Sequence, residues 1–192
     1  MRQMGLKETQ ILFTRLCVDA AFRDQIFSNE SGVEGVAFHS LEKEVRRQAR
    51  SLVNKRLGVV KDILSGTCAA MGSAFAEEFR DFAVNTKEPQ GVNRHRLDAL
   101  AFVEWLSGSA RSKPLRRPFF DLLKHEITPV QMWTKGRRSA FRFHLHPPRR
   151  LLDLAQAGIL PNALPLRPCL LLWMEGNKNK RGYFWREFSP WC

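Results

Sequence analysis

Two histidines, His144 and His146, form the pattern closest to a metal site in the sequence. Alternate side chains of a strand point to the same face, so the two imidazoles would lie side by side. A protein metal site needs a third or fourth ligand, and His125 with Glu126 is the only evident source. His144 and His146 are therefore weak candidate ligands, and the favoured interpretation is a solvated or partner-facing pair.

No other motif in the sequence indicates catalysis, and we predict no catalytic residues. The four cysteines form no C-x-x-C pair, so neither a disulfide framework nor a zinc knuckle is expected. A P-loop and a dinucleotide-binding glycine fingerprint are both absent from the sequence. The cysteines are Cys17, Cys68, Cys169 and Cys192.

Aromatic and basic side chains are mixed in the strand-like run 183–188 and in the runs that precede it. Three short strands cannot bury so many rings by themselves. An edge strand can pair with an extended peptide, in which case backbone hydrogen bonds supply affinity and alternate side chains supply selectivity. The candidate peptide-binding residues are Tyr183, Phe184, Trp185, Arg186, Phe141, Arg142, Phe143 and Trp173.

Three runs, 141–146, 169–174 and 183–188, have the length and patterning of strands. In the first run, the alternation separates Phe141, Phe143 and Leu145 from the arginine and histidines. The polar link 177–181 lies between two glycines and predicts a hairpin joining the last two strands. In such a meander, both outer strands are edges, and the sequence does not indicate which edge is free.

Helical periodicity dominates the sequence before these strands. A block at 6–27 contains a second short helix capped by Asp19, and a loop follows over 28–39. Ser40 is the expected N-cap of a long helix that ends at Gly66, and a third helix begins near Thr67. The long helix has an apolar stripe from Leu41 to Leu64.

A fourth helix is expected to begin after Asn93, with Leu97, Leu100, Ala101 and Trp105 on its buried side. Residues 107–117 are read as a linker. A fifth helix over 119–126 is followed by a crossing segment that contains Pro129. We predict an α+β fold, with an N-terminal helical body (1–135) and a small C-terminal antiparallel three-stranded sheet (136–192), as two regions or one continuous domain.

The chain has a formal net charge of +12, and the positive charge is concentrated in the predicted sheet region. Residues 131–192 hold 11 Lys or Arg and 3 Asp or Glu. Such a field attracts an acidic partner, either a protein, a peptide or nucleic acid. The arginine-rich face of the long helix, at Arg46, Arg47 and Arg50, leaves open a nucleic-acid-binding regulator as the alternative function. No membrane span or secretory signal is evident, so a cytoplasmic location is expected.

The blocks FTRLCVDAAFRDQIF, LVNKRLGVVKDIL and GVNRHRLDALAFVEWL resemble the helical portion of the small partner subunits of TIM-barrel multinuclear iron oxidases, as in methanobactin biosynthesis. The resemblance covers about residues 11–106, and the strand-rich end agrees in architecture. It implies a non-catalytic subunit of a heterodimer, in which the leader of a ribosomally made precursor peptide adds a strand to the sheet.

The same resemblance implies that the oxidase, and not this chain, holds the iron. No cofactor is expected in this chain. The oxidase would use oxygen to convert precursor cysteines to oxazolone and thioamide groups, in the service of copper acquisition. A stand-alone metalloenzyme built on His144 and His146 is a third possibility.

Overall fold

The computed structural model describes residues 5–28, 35–108, 117–159, 164–176 and 182–189. These ranges contain eight helices and a three-stranded antiparallel sheet, which confirms the predicted α+β class. The helices are α1 (Leu6–Val18), α2 (Ala20–Ser28), α3 (Gly35–Ile63), α4 (Ser65–Met71), α5 (Ser73–Asn85), α6 (Arg94–Gly108), α7 (Arg117–Thr134) and α8 (Pro148–Gln156). The strands are β1 (Ser139–His144), β2 (Cys169–Glu175) and β3 (Tyr183–Phe188).

The start of the chain follows the predicted helix pair, whereas the start of α3 does not follow the prediction. Asp19 caps α2, since its carboxylate accepts the Phe22 backbone N–H at 2.9 Å. The helix α3 already begins at Gly35, so the predicted N-cap at Ser40 and the loop over 35–39 are wrong. A serine is tolerated inside a helix, and its capping ability does not oblige a helix to begin there. Residues 29–34 lie outside the described ranges.

Two glycines act differently from the prediction. The chain leaves α4 at Gly72, whose φ of 59° suits glycine, so the expected single third helix is two helices. Gly66 does not end a helix but lies inside α4. A Cβ at Gly66 would stand 2.5 Å from a Leu152 side-chain carbon. The missing side chain therefore lets α8 approach α4 closely.

The core of the helical body is built around four buried phenylalanines. Their ring centroids lie 5.1–5.5 Å apart in tilted or edge-on contacts. They are Phe75, Phe79 and Phe82 of α5 and Phe102 of α6. Beside them, Arg56 donates two hydrogen bonds to the Asp98 carboxylate, at 2.9 and 2.8 Å.

The buried ion pair accounts for the misplaced face of α6. The side of α6 that faces the core carries Asp98, Ala99, Phe102 and Leu106. Leu97, predicted to be buried, is exposed, and Leu100, Ala101 and Trp105 are only partly buried. Assigning the buried face from apolar periodicity assumes that every carboxylate is exposed. When one carboxylate is buried with an arginine, this assumption selects the wrong face of the helix.

The helix α7 is longer than predicted, because it continues through Pro129 to Thr134. The predicted end at residue 126 is therefore wrong. A proline inside a helix costs about 3 kcal/mol. The burial of Ile127 before the proline, and of Val130 and Met132 after it, offsets that cost. The continuous helix provides the floor on which the sheet packs.

The sheet has the order β1-β2-β3, so β1 and β3 are its two edges within the described residues. In the register, Trp173 of β2 lies opposite Ala140 of β1 and Trp185 of β3. The connection from β1 to β2 contains α8, which packs on α4 and α7. The predicted hairpin link at 177–181 lies outside the described residues. None of the described helices is both long and apolar enough to cross a membrane.

Candidate functional site

The two faces of the sheet differ in exposure and chemistry. We call the face toward α7 the inner face. Its side chains are Ala140, Arg142, His144, Cys169, Leu171, Trp173, Glu175, Tyr183, Trp185 and Glu187. We call the opposite side the outer face. Its side chains are Ser139, Phe141, Phe143, Leu170, Leu172, Met174, Phe184, Arg186 and Phe188.

Asp121 of α7 organises the polar side chains below the inner face. Its Oδ2 accepts the backbone N–H groups of Leu145 and His146, both at 3.1 Å. The same oxygen lies 2.9 Å from Nδ1 of the His146 ring, which donates to it as an N–H. Three donors converge on one buried carboxylate, which holds the end of β1 against α7.

His144 lies beside this carboxylate, with its Nδ1 3.8 Å from Asp121 Oδ1, and His125 lies one helical turn after Asp121 on α7. Both ring nitrogens of His144 and Nδ1 of His125 are buried and unpaired among the described atoms. Burial and, to a smaller extent, the nearby His144 together lower the pKa of His125 to about 3. Burial also lowers the pKa of His144, against the opposing effect of Asp121. Both imidazoles are therefore neutral at pH 7.

The histidine pair is neither solvated nor facing a partner, so that expectation is wrong. His144 is 0% exposed and His146 is 3% exposed, because the α7 side of β1 is the buried side. Within the described ranges, no group of three or more His, Cys, Asp or Glu side chains could hold a metal ion. Glu126, the other suggested ligand, instead accepts the backbone N–H groups of Gly66 and Thr67 at 2.6 and 2.7 Å.

The candidate peptide-binding residues separate into two groups. Phe141 and Phe143 on β1 and Phe184 and Arg186 on β3 lie on the outer face and are exposed. Tyr183, Trp185 and Arg142 lie on the inner face and are half-buried, and Trp173 is buried in the core. The sequence pattern therefore selected residues from both faces of the sheet and did not indicate which face is buried.

The inner-face candidates at the sheet edges already contact α7. Trp185 meets the His125 ring edge-on, with centroids 4.9 Å apart. The Arg142 guanidinium donates to the Gln131 side-chain oxygen at 2.7 Å. Trp173 lies on the central strand, 4.7 Å from the His125 ring between centroids. Its place in the core leaves it out of reach of a strand added at either edge.

Backbone hydrogen bonds determine which groups of β3 face its free edge. The Gly176 N–H donates to the Gly182 carbonyl at 2.7 Å. Hydrogen-bonded pairs recur every second residue in an antiparallel ladder, so the N–H groups of Phe184 and Arg186 point toward β2. The N–H groups of the alternate residues, Tyr183, Trp185 and Glu187, therefore point away from the sheet. The principal packing neighbour of β3 is β2, whereas β1 also packs on α7.

The arginine-rich face of α3 is largely engaged within the protein. Arg46 lies 2.7 Å from Glu42 and 3.1 Å from Asp24. Arg47 lies 2.8 Å from Glu44. Arg56 is buried in its pair with Asp98. These pairs reduce the positive field that α3 could offer to nucleic acid.

Sequence reasoning missed Asp121 and Gln131, which with Thr128 are polar residues of α7 that hold β1. The available signal for Asp121 is its position in the apolar run Phe-Phe-Asp-Leu-Leu. An acid within such a run predicts a buried carboxylate that needs donors. Gln131 has no comparable signal, because a glutamine in a helix is ordinarily exposed.

The family model of the SCO6045-like C-terminal domain matches residues 41–108 of the chain. No curated protein matches the chain. The matched segment begins in α3 and ends with α6, and it lies within the helical portion on which the resemblance to oxidase partner subunits rests. It contains neither α7 nor the sheet, so over about a third of its length this chain is similar to the SCO6045-like C-terminal domain.

Proposed function

We propose that this chain is a non-catalytic subunit that binds an extended precursor peptide along the free edge of β3 and associates with an iron-dependent oxidase. The observation that carries the proposal is the outward direction of the Tyr183, Trp185 and Glu187 N–H groups on a strand that packs chiefly on β2. A peptide strand placed there would accept these hydrogen bonds and extend the sheet.

The surroundings of the β3 edge favour a peptide with acidic side chains. Arg96 of α6 lies over the Trp133 ring, 4.1 Å from its centroid, and its charge acts on Tyr183. Arg186 is exposed on the other side of the strand. These two arginines would attract carboxylates of the incoming strand, against the opposing charges of Glu175 and Glu187 on the inner face. The oxidase partner and the conversion of precursor cysteines to oxazolone and thioamide groups are proposed from the family resemblance.

The oxidase association is tested by co-expression with a candidate TIM-barrel iron oxidase from the same organism, followed by size-exclusion chromatography and iron analysis. We expect one co-eluting, iron-containing heterodimer. Two separate peaks at micromolar concentration would refute the subunit assignment. Retention of nucleic acid by the lone chain, with affinity that falls steeply with salt, would support the regulator instead.

The peptide site is tested by replacing a backbone donor at the free edge. Glu187→Pro removes an outward N–H, whereas Glu187→Ala removes the same side chain and keeps the donor. We expect the proline variant to bind a fluorescent precursor leader roughly tenfold more weakly than the alanine variant, about the value of one hydrogen bond. Proline at Arg186 is unsuitable, because that N–H points toward β2.

Equal affinities of the two Glu187 variants would place the peptide elsewhere. Both variants must first show the circular dichroism spectrum and urea midpoint of a folded protein. The free edge of β1 is then the next site to test, with the same pair of substitutions at Phe143.

A further inference from the structure

A cleft of about 850 Å³ lies between the exposed side of α1 and the end of α5, and we call it the α1–α5 cleft. Ile11 and Val18 of α1 and Val84 of α5 line it and are 60%, 53% and 59% exposed. The opposite side of α1 is its buried side, where Leu16 packs with Val45 of α3. The helix α1 therefore has a second side with apolar residues, and this side faces the cleft.

The residues of α1 that line the cleft include a stripe at positions 7, 11, 14 and 18, in steps of four and three residues. Such a stripe follows one side of a helix, and helices pack on one another along stripes of this spacing. Its members are Lys7, Ile11, Thr14 and Val18. Among the described residues, the principal packing partners of α1 are α2 and α3, so the stripe remains open to a further helix.

A narrower cleft of about 190 Å³ extends the α1–α5 cleft toward α3. Four lining residues are common to both clefts, which together form one groove that we call the basic groove. These are Val18, Ala20, Ala83 and Val84. The narrower part also contains four arginines, contributed by α2, α3 and α5. They are Arg23, Arg50, Arg56 and Arg80.

Three of these arginines have no carboxylate partner within the described ranges. Arg56 is already neutralised by its buried ion pair. Arg50 and Arg80 are exposed, and Arg23 donates from Nη1 to the Leu16 carbonyl at 3.2 Å. The Arg23 Nε is buried without a partner among the described atoms. An unpaired guanidinium N–H beside two further positive charges calls for a negatively charged acceptor.

The acidic side chains that line the basic groove are already engaged. Asp19 caps α2 and lies 3.9 Å from Arg15, and Glu88 lies 3.6 Å from Arg94. Two lysines of the α1–α5 cleft add to the positive charge. Aliphatic side chains beside uncompensated positive charge are complementary to a segment that carries both apolar side chains and carboxylates.

We propose that the basic groove binds an acidic amphipathic helix of a partner protein. The apolar side chains of that helix pack on the α1 stripe, and its carboxylates pair with Arg23, Arg50 and Arg80. None of the described residues that line the groove is aromatic, so the groove suits aliphatic side chains and offers no ring on which a nucleic-acid base could stack. The helices α1, α2 and α5 have no strand among their principal packing partners. The site is therefore separate from the β3 edge and does not rest on the proposed function.

The test measures binding of two fluorescein-labelled helical peptides to the full chain by fluorescence polarisation. One peptide is built of leucine and glutamate in heptad order, and the other has glutamine in place of each glutamate. We expect the wild type to bind the glutamate peptide roughly tenfold more tightly or better, because only carboxylates neutralise the arginines. Added salt should remove most of this difference.

Variants of the basic groove are compared with matched variants outside it. Arg50→Glu and Arg80→Glu reverse exposed charges of the groove, and Ile11→Ser removes an apolar side chain of the α1 stripe. The controls are Arg186→Glu on β3 and Val92→Ser, both at exposed sites outside the groove. We expect the charge reversals in the groove to weaken glutamate-peptide binding roughly tenfold and Ile11→Ser roughly fivefold, with both controls within about twofold of the wild type. Urea unfolding establishes that all the variants are folded.

Three results would overturn the inference. Equal wild-type affinity for the two peptides would show that carboxylates are not recognised. Equal weakening by Arg186→Glu and Arg50→Glu would show a response to overall charge rather than to the groove. Binding of single-stranded oligothymidine that is lost in Arg50→Glu, without binding of the glutamate peptide, would assign the groove to nucleic acid. The leader-binding measurement tests the β3 edge separately.

Discussion

The two faces of the sheet differ in how closely they follow the distribution of side chains expected of a sheet packed on helices. The buried side carries the apolar Leu171 and Trp173, together with His144 and an arginine that bonds to α7. The solvent side carries phenylalanines and leucines. An ordinary one-sided sheet has apolar residues inside and polar residues outside. The exposed side of this sheet therefore has a composition suited to another surface.

The comparison also separates two ways of stabilising a sheet. Hydrogen bonds and packing on α7 hold the inner face. The outer face contributes little to folding, because its side chains remain largely in water. Substitutions on the two faces should therefore act on different measurements, stability for the inner face and association for the outer face.

The largest expected effect is that of Asp121→Ala. It removes the acceptor of three hydrogen bonds at the end of β1, and leaves their donors buried. We expect a loss of about 3–5 kcal/mol in the free energy of unfolding, because three donors are left without an acceptor. Urea denaturation measures this loss. Asp153→Ala, at an exposed site on α8, should change stability by less than about 0.5 kcal/mol. Similar losses in both variants would contradict the assigned role of Asp121.

Adjacent leucines of β2 compare the two faces directly. Leu171 is 0% exposed and Leu170 is 41% exposed. Leu171→Ala should lower the free energy of unfolding by about 2–5 kcal/mol, because it opens a cavity in the core. Leu170→Ala should cost less than about 1 kcal/mol, since its side chain is only partly removed from water. Equal losses in chemical denaturation would mean that the outer face is covered in the isolated chain.

The change in the free energy of unfolding per pH unit is expected to be smaller than the losses given above. It tests whether His125 and His144 are neutral in the folded state. The folded-state pKa of His125 lies at about 3, whereas a histidine in the unfolded chain titrates near 6.5. Between these values the unfolded state binds more protons, so stability is full above about pH 6.5 and falls as the pH decreases. The expected slope is about 1.4 kcal/mol per pH unit for His125, and His144 acts in the same direction.

His125→Phe removes one of these titrations and serves as the comparison for the wild type. Urea midpoints between pH 7 and pH 5 should fall less steeply in the variant, even if its stability at pH 7 differs. Parallel pH profiles for the two proteins would show that His125 takes up its proton in the folded state.

Much of the fold was predictable because local signals agree with tertiary packing. The Asp19 cap, the start of α6 after Asn93, and the strands at β2 and β3 follow from capping residues, periodicity and turn composition. The course of α7 past Pro129 was not predictable. A local rule ends a helix before a proline, and only the packing of the residues beyond it reverses that rule.

The α+β class, the strand alternation and the concentration of positive charge in the last third of the chain can all be predicted from the sequence. Alternation assigns residues to two faces but not to inside and outside, since both faces of β1 contain large or polar side chains. The packing of β1 on α7 establishes which face is buried. Asp121 on α7 requires donors from β1, and the burial of its histidine partner leaves Phe141 and Phe143 on the solvent side.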